Sequence, residues 1–402
     1  MTLTVIPLAL ITALVWYLSI GSEERGLSIE DFLQQHWRYP IPAQGVPPSQ
    51  WSELEASLDP QSCATCHPQQ HIHWEQSLHR HAMGPGILWQ LQLADIDTAR
   101  SCLRCHAPMS EQLALLSQQR GWTDFVAKPP NYISPNLHQQ GLVCAVCHLR
   151  SHQHYGPPAK SITEGVLPHS GFKEHQAFGD SRFCANCHQF ASDGPRLNGK
   201  LREDTYQQWS ATLYADNNQQ CQYCHMPDRQ HLWKGIHDRE MTQSALSVNI
   251  ELIHDDEKIN AVASITNSGA GHHFPTYLVP EILLRLEHVT ADGAVIEIGR
   301  RIIAWRANLS LTEELFDQRL ASGEQITIQA ESDSAVVGDI FRLRVNVSPR
   351  EHYIRTFEDY LSRHGASLSG ETLALLRQAI TEGKQKRFEF VATTKSVSDI
   401  AN

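Results

Sequence analysis

The pattern of apolar and polar positions divides the chain into three stretches. From Val5 to Ile20 it reads VIPLALITALVWYLSI, sixteen residues without a charge, and Met1–Thr4 extend the uncharged run to twenty. Twenty residues are about the length that crosses a bilayer as a helix. No amphipathic period divides the run into two faces, which argues against a buried core helix. It is either a membrane anchor or a signal peptide. No Lys or Arg precedes it and only Ser19-Ile20-Gly21 resembles a cleavage site, so an anchor over residues 1–22 is the expectation and cleavage the alternative. Either way the rest of the chain is expected on the periplasmic side of the inner membrane.

After Ser244 the pattern changes to alternating or apolar runs of strand length: Ala245–Ile253, Ile259–Thr266, Glu281–His288, Val295–Ile303, Gln325–Ala330 and Phe341–Val347. Asp255-Asp256-Glu257-Lys258 and Ala291-Asp292-Gly293 supply hairpin turns. Thr356–Leu361 and Glu371–Gly383 read as helices, and Arg387–Thr393 as a returning strand. Residues 244–402 are therefore expected to form an antiparallel β-sandwich-like domain with helices. Such a domain is a docking or structural module unless its site says otherwise.

Composition changes the picture of the middle stretch, residues 23–243. The 402 residues carry a formal net charge of -11, which removes the cationic surface that phosphate contacts require and sets nucleic acid aside. They also include 10 Cys and 23 His. All ten cysteines fall into five copies of one motif: Cys63-Ala64-Thr65-Cys66-His67, Cys102-Leu103-Arg104-Cys105-His106, Cys144-Ala145-Val146-Cys147-His148, Cys184-Ala185-Asn186-Cys187-His188 and Cys221-Gln222-Tyr223-Cys224-His225.

Two thiols three positions apart reach the two vinyl groups along one porphyrin edge, and the adjoining His puts an imidazole under the iron. Zinc needs Cys-x-x-Cys pairs two at a time, five is odd, and zinc gives no reason for a His after every second Cys. Disulfide scaffolds and redox Cys-x-x-Cys sites do not require that His either. Five covalently attached c-type haems follow, with His67, His106, His148, His188 and His225 as proximal ligands. The motifs occupy Cys63 to His225, about 33 residues per haem, too little protein to wrap each one separately. The haems must stack and form part of the core among short helices and loops. The fold class expected is α+β, a haem-packed, mostly helical or loop domain followed by the β domain.

Eighteen further histidines are enough for a second axial His on every iron, whereas only Met83, Met109, Met226 and Met241 are available besides the initiator. Mostly low-potential bis-His sites are expected. The histidines cluster: His71, His73, His79 and His81 lie on a stretch that reads as one helix, His169 and His175 precede the fourth motif, and His231 and His237 follow the fifth. About four of the eighteen are expected to be ligands.

At these residues the chain resembles the cytochrome c-554-like multihaem family, whose relatives include octahaem reductases and hydroxylamine oxidoreductase. The resemblance covers about residues 60 to 280. It is carried by the first motif with Trp74-Glu75-Gln76-Ser77-Leu78-His79, by Cys102 to Pro108, Gly141 to Cys144 and Ser181 to Cys184. Trp209 before Cys221 to Pro227, and Gly235-Ile236-His237-Asp238, complete it. It implies that His79 and His237 are distal ligands. It also likens Asn267 to Thr276 to a loop whose first His, His272, reaches back to a haem, with the His272-His273 pair leaving that choice open. His169 completes the expected set. No motif has Lys in place of its terminal His, the mark of the catalytic haem in cytochrome c nitrite reductases, and this argues against an enzyme.

The expectation is an electron-transfer pentahaem cytochrome c working with other cytochromes or with a quinol-oxidising or terminal reductase complex. The alternative is a multihaem oxidoreductase acting on a small nitrogen or sulfur compound at one open iron. Two propionates per haem keep the holoprotein acidic, which favours docking to a basic patch on a redox partner.

Overall fold

A computed structural model describes residues 27–122, 130–160, 169, 171–255, 258–333 and 335–400. The expected anchor at 1–22 lies outside the described residues, as do Asp256 and Glu257 of the first expected hairpin turn. Among the described residues no helix is long and apolar enough to cross a membrane.

Up to Ser244 the chain is a succession of short helices and turns. Four of the five motifs close on their histidine as the end of a helix: Ile96–His106, Cys144–His148, Arg182–His188 and Cys221–His225. Cys63 lies in the helix Pro60–Ala64, and His67 caps the next helix, Pro68–Gln76. A helical turn puts positions i, i+3 and i+4 on one face, so both thiols and the imidazole of each motif point the same way. Apolar packing is local. One cluster gathers Trp74, Met109, Leu137, Val143 and Val146, and another Met83, Leu91, Leu103 and Leu113. Short strands stitch the loops: β1 (Leu149–Arg150) pairs with β2 (Gln153–Gly156), which takes β3 (Lys173–Glu174) in parallel, and β4 (Arg196–Leu197) pairs with β5 (Lys200–Leu201).

The helix expected over His71–His81 stops at Gln76. Ser77 turns extended at φ -81° and ψ 158°, and its hydroxyl donates to the Trp74 carbonyl at 2.7 Å. A serine side chain that takes a backbone carbonyl competes with helix propagation. The chain resumes as a 3-10 turn, Arg80–Met83, so His79 stands at the break and not on a helix face.

From Leu246 the chain forms two antiparallel sheets. β6 (Leu246–Asp255), β7 (Lys258–Asn267) and β11 (Gln325–Ser332) make a three-stranded sheet in the order β11-β7-β6. The second sheet contains β8 (Glu281–Val289), β9 (Val295–Ala307), β10 (Glu314–Asp317), β12 (Ile340–Ser348) and β13 (Phe388–Ser396). Its order is β10-β9-β8-β12-β13. Strict alternation along β7 and β12 turns Ala261, Ala263, Ile265, Phe341, Leu343 and Val345 inward against Ile282, Leu284 and Leu286. Every strand expected from the pattern is present. β10 is an addition to them, since four residues at a sheet edge carry too little alternation to stand out.

The helices Glu351–His364 and Gly370–Gln385 outrun the spans expected for them and leave the sheets to pack on the first part. There Phe357, Leu376 and Ile380 close over Trp89. A second junction forms at Trp305, 1% exposed, against Leu197 of β4. Lys200 of β5 reaches Glu314 at 2.5 Å and Asp317 at 2.7 Å. The architecture is α+β, helical first and sheet-rich second.

Candidate functional site

An imidazole that binds a metal through Nε2 usually donates its Nδ1–H to a backbone carbonyl or carboxylate, which fixes the tautomer and aims the lone pair. This criterion sorts the histidines. Seven of the non-motif histidines spend Nε2 on another protein atom: His36 on the Cys147 carbonyl, His73 on Gln69, His138 on Gln119, His152 on the Gly45 carbonyl, His175 on the Leu27 carbonyl, His288 on Asp339 and His352 on Thr356. In this arrangement they are not ligands.

The opposite pattern marks six rings. Among motif histidines, Nδ1 faces a carbonyl oxygen in His106 (Ala82, 2.5 Å), His148 (Tyr155, 2.8 Å) and His225 (Lys234, 2.6 Å). Outside the motifs it does so in His169 (Gly171, 2.9 Å), His231 (Arg229, 2.9 Å) and His272 (His273, 2.8 Å). Burial lowers the pKa of His231 and His272 to about 4 and that of His79 to about 3. Neutral imidazole is the form that offers a lone pair to a metal.

Three pairs bring a motif histidine opposite a non-motif one. Ring centroids are 6.3 Å apart for His188 and His79, 6.1 Å for His148 and His231, and 6.3 Å for His225 and His272. Two imidazoles on opposite faces of one iron stand about 6.3 Å apart, centroid to centroid, when each metal–nitrogen bond is about 2 Å. The spacing fits a haem iron between each pair.

The backbone explains how the non-motif rings of these pairs arrive. Gly141, at φ +68°, lies so close to the His79 carbonyl that a Cβ there would collide with it. Leu142 N donates to that carbonyl at 2.9 Å and receives the Trp74 indole N–H on its own carbonyl at 2.7 Å, which pins the break carrying His79. His272 sits in the loop after β7. Buried Asn267 ties that loop with bonds from Nδ2 to the His272 and Leu320 carbonyls, at 2.9 and 3.0 Å, and from Ala270 N to Oδ1 at 3.1 Å.

Two motif histidines remain. His67 has its pKa lowered by burial and by the charge of nearby His169, and His169 stacks on His154 at 3.8 Å. The two rings differ in their Nδ1: that of His169 is bonded to Gly171, whereas that of His154 is buried without a partner. His106 faces no other histidine at ring-contact distance among the described residues. His237 is the partly buried candidate left for it, with a pKa lowered to about 4 by burial and by the charges of Arg350 and Lys386, although its Nδ1, like that of His154, is buried without a partner. Arg350 also acts on Tyr353, which feels Cys102 of the second motif, and Lys386 acts on His81, beside the Ala82 carbonyl that holds His106.

Of the four distal histidines expected from sequence, the structure sets His79 and His272 opposite motif histidines, His169 near His67, and His237 close to the surroundings of the second motif. His231 belongs to the cluster after the fifth motif but lies outside the expected set. Its partner His148 lies 83 positions earlier, and no local pattern reports that meeting.

The cysteines of different motifs also meet. Cys63 is in side-chain contact with Cys144, Cys105 with Cys187, and Cys184 with Cys221. Cys147 is near enough to Cys184 and Cys187 for its charge to act on both. The five motif turns thus form one connected group, first to third, third to fourth, fourth to second and to fifth. Residues between the cysteines point away from a porphyrin. Val146 of the third motif is 0% exposed, Tyr223 of the fifth is 67% exposed, and Thr65, Cys66 and His67 of the first are exposed, so the third turn is central and the first and fifth are peripheral.

No family model and no curated protein matches the chain. Among solved structures it is similar to a penta-haem cytochrome c552 from Thermochromatium tepidum, with 18% sequence identity over 83% of this chain and 97% of that chain and a TM-score of 0.55. The two share a fold.

Proposed function

We propose that the chain is a pentahaem cytochrome c that transfers electrons outside the cytoplasm. The single observation that carries this reading is the proximity of the cysteines: side-chain contacts join the first motif turn to the third and the second and fifth to the fourth, and Cys147 lies near enough to Cys184 and Cys187 to bring the two sets together. Five haems bound there would supply one-electron storage and transfer at closely spaced irons. The chain's own part is to hold each ring pair neutral, aimed and apart by the right distance. In this reading residues 23–243 hold the haems, and residues 244–402 contribute His272 to the fifth and pack beside the second motif. The distal ligands are His169, His237, His231, His79 and His272 for the first to fifth haems in turn. The peripheral fifth motif is the port for a redox partner protein, and residues 1–22 attach the protein to the membrane. Haem content by pyridine haemochrome together with intact mass tests the reading: five haems per chain support it, and fewer contradict it.

A second reading is favoured by the side chains gathered at the second motif. Tyr277, with its pKa raised by burial, and Tyr353, 46% exposed, lie with Arg350 and Glu203 near Cys102 and Cys105. Phenols and a guanidinium can orient a small anion and supply it with protons. If His237 does not close the iron over His106, this group of side chains serves an oxidoreductase for a small nitrogen or sulfur compound. Carbon monoxide binding to the reduced protein decides between the two readings.

A further inference from the structure

Against the β1–β2 hairpin lies a buried polar cluster that haem attachment does not use. Glu111, on the first turn of the helix Ser110–Arg120, is 1% exposed. Its Oε1 accepts the Gln44 backbone N–H at 2.6 Å, and its Oε2 is buried without a partner. Gln44 turns its own Oε1 to the His152 backbone N–H at 3.3 Å, which leaves its Nε2 buried and unpartnered. His152 bonds the Gly45 carbonyl through Nε2 at 3.2 Å, and its Nδ1 is likewise buried and unpartnered. The Tyr132 hydroxyl donates to the same carbonyl at 2.8 Å.

An acceptor, a donor and a ring nitrogen able to be either are thus left unsatisfied on three residues already bonded to one another. Buried polar groups in such a setting are satisfied by internal water. Among the described residues no Lys or Arg forms an ion pair with Glu111, and the titratable groups facing it are Tyr132 and His152. Burial raises the Glu111 carboxyl and pushes Tyr132 up to about 12, so the phenol keeps its proton and the carboxyl is the group free to exchange one.

The same hairpin mounts ligands of two haems. The Tyr155 carbonyl holds His148 Nδ1 at 2.8 Å, and His154 stacks on His169 at 3.8 Å. Trp51 spans His152 and His154, with ring centroids at 5.7 and 5.8 Å. An electron added at the first or third haem would lower the charge of a centre held by the hairpin to which Glu111 is tied through Gln44 and His152, and a buried carboxylate without a cationic partner then favours its neutral form.

We propose that Glu111 is a redox-linked proton site. When a one-electron donor, such as a redox partner protein, reduces the first or third haem from iron(III) to iron(II), the Glu111 carboxylate takes one proton from solvent through internal water and becomes the acid. On reoxidation the electron leaves for the acceptor and the proton returns to solvent. The proposal rests on the haem reading above.

Redox-difference infrared spectroscopy of the holoprotein in an electrochemical cell tests it. Reduction is expected to raise the C=O band of a buried protonated carboxyl, shifted in D2O and missing in Glu111→Gln, and one midpoint potential should lose its pH dependence in that variant. A wild type without the band, or a variant with unchanged pH dependence, overturns the proposal. Should Glu111→Gln fail to fold, proton uptake by the wild type on reduction in weakly buffered solution, read with a pH indicator, decides the same question: uptake supports the site and none overturns it. Haem content separates the two levels. Five haems without the band refute the proton site alone, whereas fewer than five refute the reading beneath it.

Discussion

The rings of His225 and His272 face each other at 6.3 Å with their planes 14° from parallel, although one closes the fifth motif helix and the other belongs to a loop between two strands. The sheet domain therefore brings a histidine to the fifth motif. His272→Ala is expected to convert one low-spin iron to a high-spin, carbon monoxide-binding one and to raise its potential. His273→Ala, which alters a ring whose Nδ1 is buried without a partner, should leave the spin state unchanged. Magnetic circular dichroism of the two oxidised variants checks this.

His231 carries the corresponding prediction for the third centre. His231→Ala should open that iron, while His154→Ala should leave five six-coordinate irons and perturb only the environment of the first. The electronic spectra of the reduced variants with and without carbon monoxide distinguish these outcomes.

Gly141 is needed for a close approach. At φ +68°, with the His79 and Arg80 carbonyls in the way, an alanine must push back the segment that presents His79. Gly141→Ala is expected to destabilise the protein by at least about 1 kcal/mol and to weaken the fourth centre selectively. Thermal melting followed at the Soret band and in the far ultraviolet would show the band lost first.

The junction at Trp305 holds the two parts together. Its ring lies 4.3 Å from the Arg319 guanidinium and 5.1 Å from the Lys200 ammonium, and its indole N–H donates to Glu314 at 2.7 Å. Trp305→Ala is expected to cost about 3 to 5 kcal/mol, as large-to-small changes at buried aromatic sites do. Lys200→Met, at a half-exposed partner, should cost under about 1 kcal/mol. Urea titrations of the holoproteins measure both.

Acid should destabilise the fold through His36, which is buried against Phe32 and bonded to the Cys147 carbonyl, with its pKa lowered to about 2. Its folded value lies below the unfolded value of about 6.5, so the unfolded chain binds the proton more readily. The contribution is fully present above pH 6.5 and is lost at about 1.4 kcal/mol per unit as the pH falls toward the folded value. His36→Gln should flatten that part of the stability profile, read as melting temperature between pH 7 and 5.

The cysteine motifs and the sandwich strands are legible because each is written locally, as a fixed spacing or as a period of two. The histidine partners are not. Ser77 ends a helix that the His71–His81 pattern would continue, since one hydroxyl takes the Trp74 carbonyl. His231 and His169 take their orientation from backbone carbonyls two residues away and meet rings distant in sequence, which no spacing encodes. The resemblance to multihaem cytochromes points to His79, His237 and His272; His79 and His272 stand opposite motif histidines, whereas His237 faces none at ring-contact distance among the described residues.

The measurement that bears most directly on the account is low-temperature electron paramagnetic resonance of the oxidised holoprotein, joined to carbon monoxide addition to the reduced form. Five low-spin irons and no change in the Soret band are the predicted result, with His237 closing the centre at His106. A high-spin signal with carbon monoxide binding at one haem would contradict a purely electron-carrying protein and make the side chains of Tyr277, Tyr353 and Arg350 the place to seek a substrate.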